Sequence, residues 1–184
     1  MSFNERTFQA VIFDMDGVLI DSEPLWKIAM LEVFSSLGST LSSHDFQRTV
    51  GLRIDQVVEY WNQEDQWGIN DCNLVVDQII DRMVVLIGEN PFPLPGVLDT
   101  LHYLSQSSLK IGLATSSPQR LIDAVLKHLN VSHFFDAVHS AEFERFGKPH
   151  PDVYLKTAES LGINPTKCLV IEDSLNGVIS GKAA

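Results

Sequence analysis

Apolar positions along this chain fall into two regimes. Residues 9–13 contain the unbroken run Ala10-Val11-Ile12-Phe13, which stops at Asp14-Met15-Asp16-Gly17. A short apolar run bounded by a turn signal predicts a buried strand of a parallel sheet. From residue 23 the spacing changes: Leu25, Ile28, Ala29, Leu31, Phe34 and Leu37 recur at roughly helical intervals up to Gly38. Ser22 is placed as the N-cap of that helix, with Glu23 and Pro24 in its first turn. Further helices are predicted over 43–49, over 54–63 with Val57, Val58 and Trp61, and over 74–87 ending at Gly88. Pro91, Pro93, Pro95 and Gly96 then punctuate the chain as a linker.

Beyond residue 96 helical and strand-like patterns alternate. Helices are predicted over 97–107, 119–129 and 153–161, the last closed by Gly162, with strands over 110–115, 137–140 and 168–171. Such alternation implies βαβ units, right-handed crossovers and an α/β fold with a Rossmann-like parallel sheet. The expected organisation is a discontinuous core of residues 1–22 and 95–184, with residues 23–94 as an inserted helical domain. A helix that starts at 176 is still running at 184, with no strand after it. The expectation is that the last core strand is missing, leaving 168–171 as a sheet edge with unpaired backbone groups. Lower stability and weaker metal binding than in a chain that continues would follow.

Residues just past the carboxyl ends of parallel strands face the ligand crevice. Four such places carry polar groups: Asp14 and Asp16, Thr115 and Ser116, the loop Gly147-Lys148-Pro149-His150-Pro151-Asp152, and Glu172 with Asp173. Each has an ordinary alternative. The aspartates could form an acidic turn, Thr115 to Ser117 could cap a helix, Lys148 could be a solvated loop lysine, and Glu172 and Asp173 could cap the last helix. Together they supply carboxylates, a hydroxyl site and one cation on a single sheet edge, the parts needed to hold Mg²⁺ and a phosphate.

Composition narrows the partners. A chain of 184 residues with 45% hydrophobic and 20% charged residues is that of an ordinary globular protein. Its net charge of −11 and pI near 4.8 speak against a nucleic acid or an anionic membrane. An anionic substrate would therefore need a metal ion or a placed Lys or Arg. Cys72 and Cys168 form no CxxC pair, and Cys168 sits in an apolar run as an expected small core residue, which suits a reducing compartment. No apolar stretch approaches membrane-spanning length, and Asp14 and Asp16 interrupt the one region a signal peptide could use. A cytoplasmic monomer is the expectation.

The motifs Asp14-Met15-Asp16-Gly17, Thr115, Gly147-Lys148-Pro149-His150-Pro151-Asp152 and Glu172-Asp173-Ser174-x-x-Gly177 occur in the order found in haloacid dehalogenase-type (HAD-like) phosphatases. The whole chain resembles the branch of that superfamily with a helical cap after the first strand. The stretch from Phe13 to Trp26 further resembles sugar-phosphate phosphatases acting on 2-deoxyglucose 6-phosphate and hexitol phosphates. The resemblance implies that Asp14 attacks phosphorus to form an aspartyl-phosphate. Asp16 would protonate the leaving oxygen and then deprotonate water, a task that asks for a carboxyl able to carry a proton in the dry surroundings of a cap. Mg²⁺ would be held by the Asp14 carboxylate, the Asp16 carbonyl and Asp173, with Glu172 nearby. Thr115 and the Ser116 N–H would bind phosphoryl oxygens, and Lys148 would neutralise charge. Arg53 matches a position that reaches the active site from the cap in related enzymes, or else is an exposed helix-start arginine. Trp26, Trp61 and Trp67 could stack on a sugar face or pack the cap core. The nearest rival is a β-phosphoglucomutase-type isomerase, in which a histidine pairs with the second aspartate; here Trp26 stands at the place expected for it. Haloacid dehalogenation itself has no use for Asp16. A receiver-like phosphate-binding module is a third reading, but its phosphoacceptor lies on a middle strand.

Overall fold

In the computed structural model residues 8–89 and 93–184 are described, so Pro91 of the punctuating run lies outside them. Four strands form one parallel sheet: β1 (Ala10–Phe13), β2 (Lys110–Thr115), β3 (Ala137–Ser140) and β4 (Cys168–Ile171), in the order β3-β2-β1-β4. Seven helices accompany them among the described residues: α1 (Glu23–Ser36), α2 (Ile54–Glu64), α3 (Asn73–Glu89), α4 (Val97–Ser105), α5 (Gln119–Leu129), α6 (Asp152–Leu161) and α7 (Leu175–Ala183). The α/β architecture with a Rossmann-like parallel sheet is the one the alternating pattern predicts.

Register decides what the sheet can do. Phe13 lies opposite Leu113 on one side and Ile171 on the other, and Thr115 lies opposite Ser140. The Asp14 N–H continues the ladder by donating to the Ile171 carbonyl at 3.0 Å. Asp14, Thr115 and Glu172 therefore leave the sheet at one edge although about 160 residues separate the first from the last. β1 is buried along its whole length, as an unbroken apolar strand between two neighbours must be. β4 pairs only with β1 among the described residues, and its Leu169 is 41% exposed.

One face of the sheet takes α6, where Ile12 and Ala114 pack against Val153, Tyr154 and Ala158. Gly112 permits this approach, since a Cβ there would stand 2.7 Å from Thr157 Cγ2. Apolar packing on the other side runs without a break from Phe13 and Leu113 through Leu121 and Ile122 of α5 to Met83 and Ile87 of α3. The helices between β1 and β2 thus bury their apolar stripes against each other and against the α5 side of the sheet. Trp61 and Trp67 belong to this packing: Trp67 lies 4.6 Å from the Phe34 ring centroid and Trp61 stands edge-on to Phe46.

Two expectations change in detail. The helix over 43–49 is a short 3₁₀ turn, Asp45–Thr49. The Asp45 carboxylate is drawn back to the Ser42 N–H and hydroxyl at 2.8 and 2.6 Å, and Gly51 at φ +79° ends the segment. Cys168 is half-buried on β4 and not a core residue, because its strand lies at the sheet edge; both cysteines are free. No helix among the described residues is long and apolar enough to cross a membrane.

Candidate active site

The carboxyl ends of β1, β2 and β4 enclose a buried ammonium. Lys148 Nζ lies 2.9 Å from Asp14 Oδ1 and 2.5 Å from Glu172 Oε1, and donates to the Ala114 carbonyl at 3.1 Å. The three side chains are at most 9% exposed, so each needs the others. Tyr154 completes the arrangement from α6: its hydroxyl donates to Glu172 Oε1 at 2.9 Å and its ring lies 4.9 Å from the ammonium. The other Glu172 oxygen accepts the Ser174 N–H and hydroxyl.

These surroundings set the charges. Burial is the main influence on Asp14; with the nearby Glu172 and Asp16 charges it outweighs the attraction of Lys148 and pushes the carboxyl up to about 7. Burial also works to raise Glu172, but the Lys148 ammonium and its hydrogen bond win, and this carboxyl is held below the ordinary value. Lys148 itself is held above its ordinary value, since the two carboxylates overcome the cost of burying it. Asp173 is raised, by desolvation first and then by the Glu172 charge.

Oxygens of Asp14, Glu172 and Asp173 lie within 4.8 Å of one another. Two glycines make room for the gathering. A Cβ on Gly17, at φ +71°, would overlap the Asp173 carboxylate, and one on Gly177 would overlap that of Glu172. An all-oxygen, anionic donor set of this kind suits a hard divalent cation. Beside it, Thr115 is buried and its hydroxyl accepts the Ser117 N–H at 3.1 Å. Ser116 Oγ is buried without a hydrogen-bond partner among the described residues, at the wall of a cavity that also exposes Asp14, Lys148 and Asp173. A buried hydroxyl without a partner beside carboxylates and an ammonium fits a bound oxyanion with its cation.

Asp16 has a different setting. Its Oδ1 accepts the Ser22 hydroxyl at 2.5 Å and the Trp26 indole N–H at 3.0 Å, while its Oδ2 accepts the Ser117 hydroxyl at 2.6 Å. Its carboxylate is thus occupied away from the Asp14, Glu172 and Asp173 group. Ser22 was expected as the N-cap of α1, and its side chain makes no capping bond there; the carboxylate outcompetes the helix for its hydroxyl. Trp26, expected to pack or stack, turns its N–H on Asp16. Neither Ser117 nor Tyr154 was singled out from sequence; Ser117 had a signal in its place directly after Thr115-Ser116, and Tyr154 had none.

The cavity has a volume of about 370 Å³. Its floor is the sheet edge, and the helical segment between β1 and β2 lines it with apolar Met30, Phe46, Leu52 and Val57 and with the charged Glu23 and Lys27. Arg53 does not line it. Its guanidinium donates to the Ala141 and Glu144 carbonyls, both at 3.0 Å, and pairs with Asp55 at 2.6 Å. The side chain therefore ties the start of α2 to the loop after β3, and the expected reach into the site is not what this arrangement shows. His150, at the loop of Lys148, pairs with Asp152 at 3.0 Å.

A family model for haloacid dehalogenase-like hydrolases matches residues 8–184. The chain belongs to this family. Hexitol phosphatase B of Escherichia coli (strain K12) is 43% identical over 180 residues, which cover 97% of this chain and 81% of that protein. A fructose-1-phosphate phosphatase of the same strain is 32% identical, covering 96% of this chain and 93% of its own length. Among solved structures, the β-phosphoglucomutase of Clostridium difficile superposes with a TM-score of 0.84 at 27% identity, over 96% of this chain and 81% of that one.

Proposed function

We propose that the protein is a Mg²⁺-dependent phosphomonoester hydrolase acting on small sugar phosphates through an aspartyl-phosphate intermediate. One observation carries the reading: a buried Asp14 beside Lys148 faces a cavity in which Asp173 and the unpartnered Ser116 hydroxyl are also presented. Asp14 is the nucleophile. Lys148 offsets the charge of Asp14 and of the transferring group, and Thr115 and Ser116 receive phosphoryl oxygens. Asp14, Asp173, the Asp16 carbonyl and Glu172 would hold Mg²⁺, which supplies positive charge against the anionic phosphate. Asp16 handles the proton of the leaving oxygen and then that of water. Residues 23–94 act as a cap over a core of 1–22 and 95–184, and the cap's lining, apolar residues with Glu23 and Lys27, selects the sugar.

The named relatives support a sugar phosphate, a hexitol phosphate or a hexose phosphate being the nearest candidates and a 2-deoxyhexose phosphate a third. Hydrolysis is preferred to β-phosphoglucomutase-type isomerisation because Asp16 is partnered by an indole and the two relatives are phosphatases. A monomer in the cytoplasm completes the proposal, and two free cysteines suit that compartment. Assay of hexitol, hexose and 2-deoxyhexose phosphates with Mg²⁺, wild type against Asp14→Asn, tests it. Turnover by the wild type that is lost in the variant is expected; equal turnover in both overturns the mechanism.

A further inference from the structure

Asp16 is held unequally at its two oxygens. Oδ1 receives two donors, the Ser22 hydroxyl and the Trp26 N–H, and Oδ2 receives one, the Ser117 hydroxyl. The donors also differ in kind. A hydroxyl can rotate and accept, but an indole N–H can only donate. A proton on Oδ1 would stand against a fixed donor and weaken the oxygen as an acceptor. At Oδ2 the one neighbour is a hydroxyl that can turn its own O–H away, which leaves a proton there free to point at a substrate oxygen. Ser22 and Ser117 are both buried, at 1% and 4% exposed, and water does not readily replace either.

We propose that Trp26 is a positioning residue for Asp16, and that with Ser22 it reserves Oδ1 as an acceptor so that Oδ2 is the oxygen that carries the proton. The inference rests on the hydrolase reading above. In the first step the Asp14 carboxylate bonds to phosphorus as the bond from phosphorus to the leaving oxygen breaks. The electron pair stays on that oxygen, which takes the proton from Oδ2. In the second step water oxygen bonds to phosphorus, the bond to Asp14 breaks, and the proton lost by water goes to Oδ2. Trp26 sits on α1 and Ser117 follows β2, so the carboxylate is aligned by the helical insert and the sheet together.

The test is leaving-group dependence, because p-nitrophenolate departs without needing a proton and an alcohol does not. Values of kcat/KM, which report the steps up to transfer onto Asp14 and not the later attack of water on the common intermediate, are measured with Mg²⁺ on a hexitol phosphate and on p-nitrophenyl phosphate. Trp26→Phe removes the N–H; the loss of a hydrogen bond to a charged group corresponds to a roughly 10-fold or greater drop on the hexitol phosphate. On p-nitrophenyl phosphate the drop in kcat/KM is much smaller, so the ratio of the two kcat/KM values falls. Trp26→His, which keeps a ring N–H, restores part of the ratio. Ser117→Ala, placed on the opposite oxygen, lowers the same ratio. In an Asp16→Asn background Trp26→Phe leaves the ratio where it was. Equal losses on both substrates, with thermal melting showing a folded variant, overturn the proposal in favour of packing alone, as does an unaltered ratio. Failure of the wild type to hydrolyse either substrate is a separate result that overturns the hydrolase reading.

Discussion

Asp14 and Asp16 share a turn and little else. Asp14 lies buried beside an ammonium and close to Glu172, a setting of few partners and strong fields that pushes its carboxyl up to about 7. Asp16 stands at the cavity wall and is satisfied by three neutral donors from three places in the chain. The first arrangement conditions charge and the second conditions direction. These settings match the proposed roles: a nucleophile in a crowd of anions needs the former, and a group that hands a proton to one atom and takes it from another needs the latter. Neighbours in sequence can thus be given separate work by elements that meet them only in three dimensions.

The comparison breaks most severely at Asp14. Asp14→Asn should lower turnover of a sugar phosphate by on the order of 10⁴ or more, as loss of a nucleophile does, measured as kcat under saturating substrate. Removing the ammonium should unsettle the same side structurally. Lys148→Met leaves Asp14 and Glu172 facing each other unpaired, and urea unfolding should show a loss of about 3–5 kcal/mol. On the other side, Asp16→Asn should cost about 10²–10⁴ in kcat/KM on a sugar phosphate and much less in kcat/KM on p-nitrophenyl phosphate.

A smaller effect sharpens the charge side. Asp14 binds a proton more tightly folded than unfolded, so its contribution to stability falls as pH rises from its ordinary value near 3.8 to about 7, and is level above. Asp14→Asn, which cannot ionise, should therefore stabilise the metal-free protein by about 1–2 kcal/mol above pH 7, with the gain shrinking toward pH 4 in urea titrations. A gain that grows as pH falls would reverse the sign of that argument. The smallest effect is expected at Arg53→Ala. Loss of its bonds to Ala141 and Glu144 should cost about 1 kcal/mol of stability and leave p-nitrophenyl phosphate turnover within a few-fold.

The sheet was legible because strand and helix periods differ and each strand stops at a polar group: β2, β3 and β4 begin and end where the pattern places them. The carboxylates and Lys148 were legible through order and spacing along the chain. What escaped was the support around them. Ser22 reads as a helix cap because local rules favour that use, and only the fold brings a carboxylate close enough to take its hydroxyl. Ser117 meets Asp16 across 101 positions, a distance no periodicity spans. Arg53 carries a motif position, but its guanidinium finds two free carbonyls and Asp55 before it finds the cavity.

That last arrangement bears on how such a protein can change over time. Gly147 packs against the Arg53 side chain, with Cβ and Cδ within 4 Å of where a Cβ would stand, and Lys148 is the next residue. The helical insert and the ammonium are thus mechanically adjacent, through one arginine and one loop. Substitutions deep in the insert, in residues lining the cavity, can reshape what is admitted without touching this joint. A change that displaced Arg53 would loosen the loop before the lysine at a cost in stability more than in turnover. On the proposed function, selectivity would be free to drift in one part of the insert while the part nearest the chemistry is held in trust by a few backbone carbonyls.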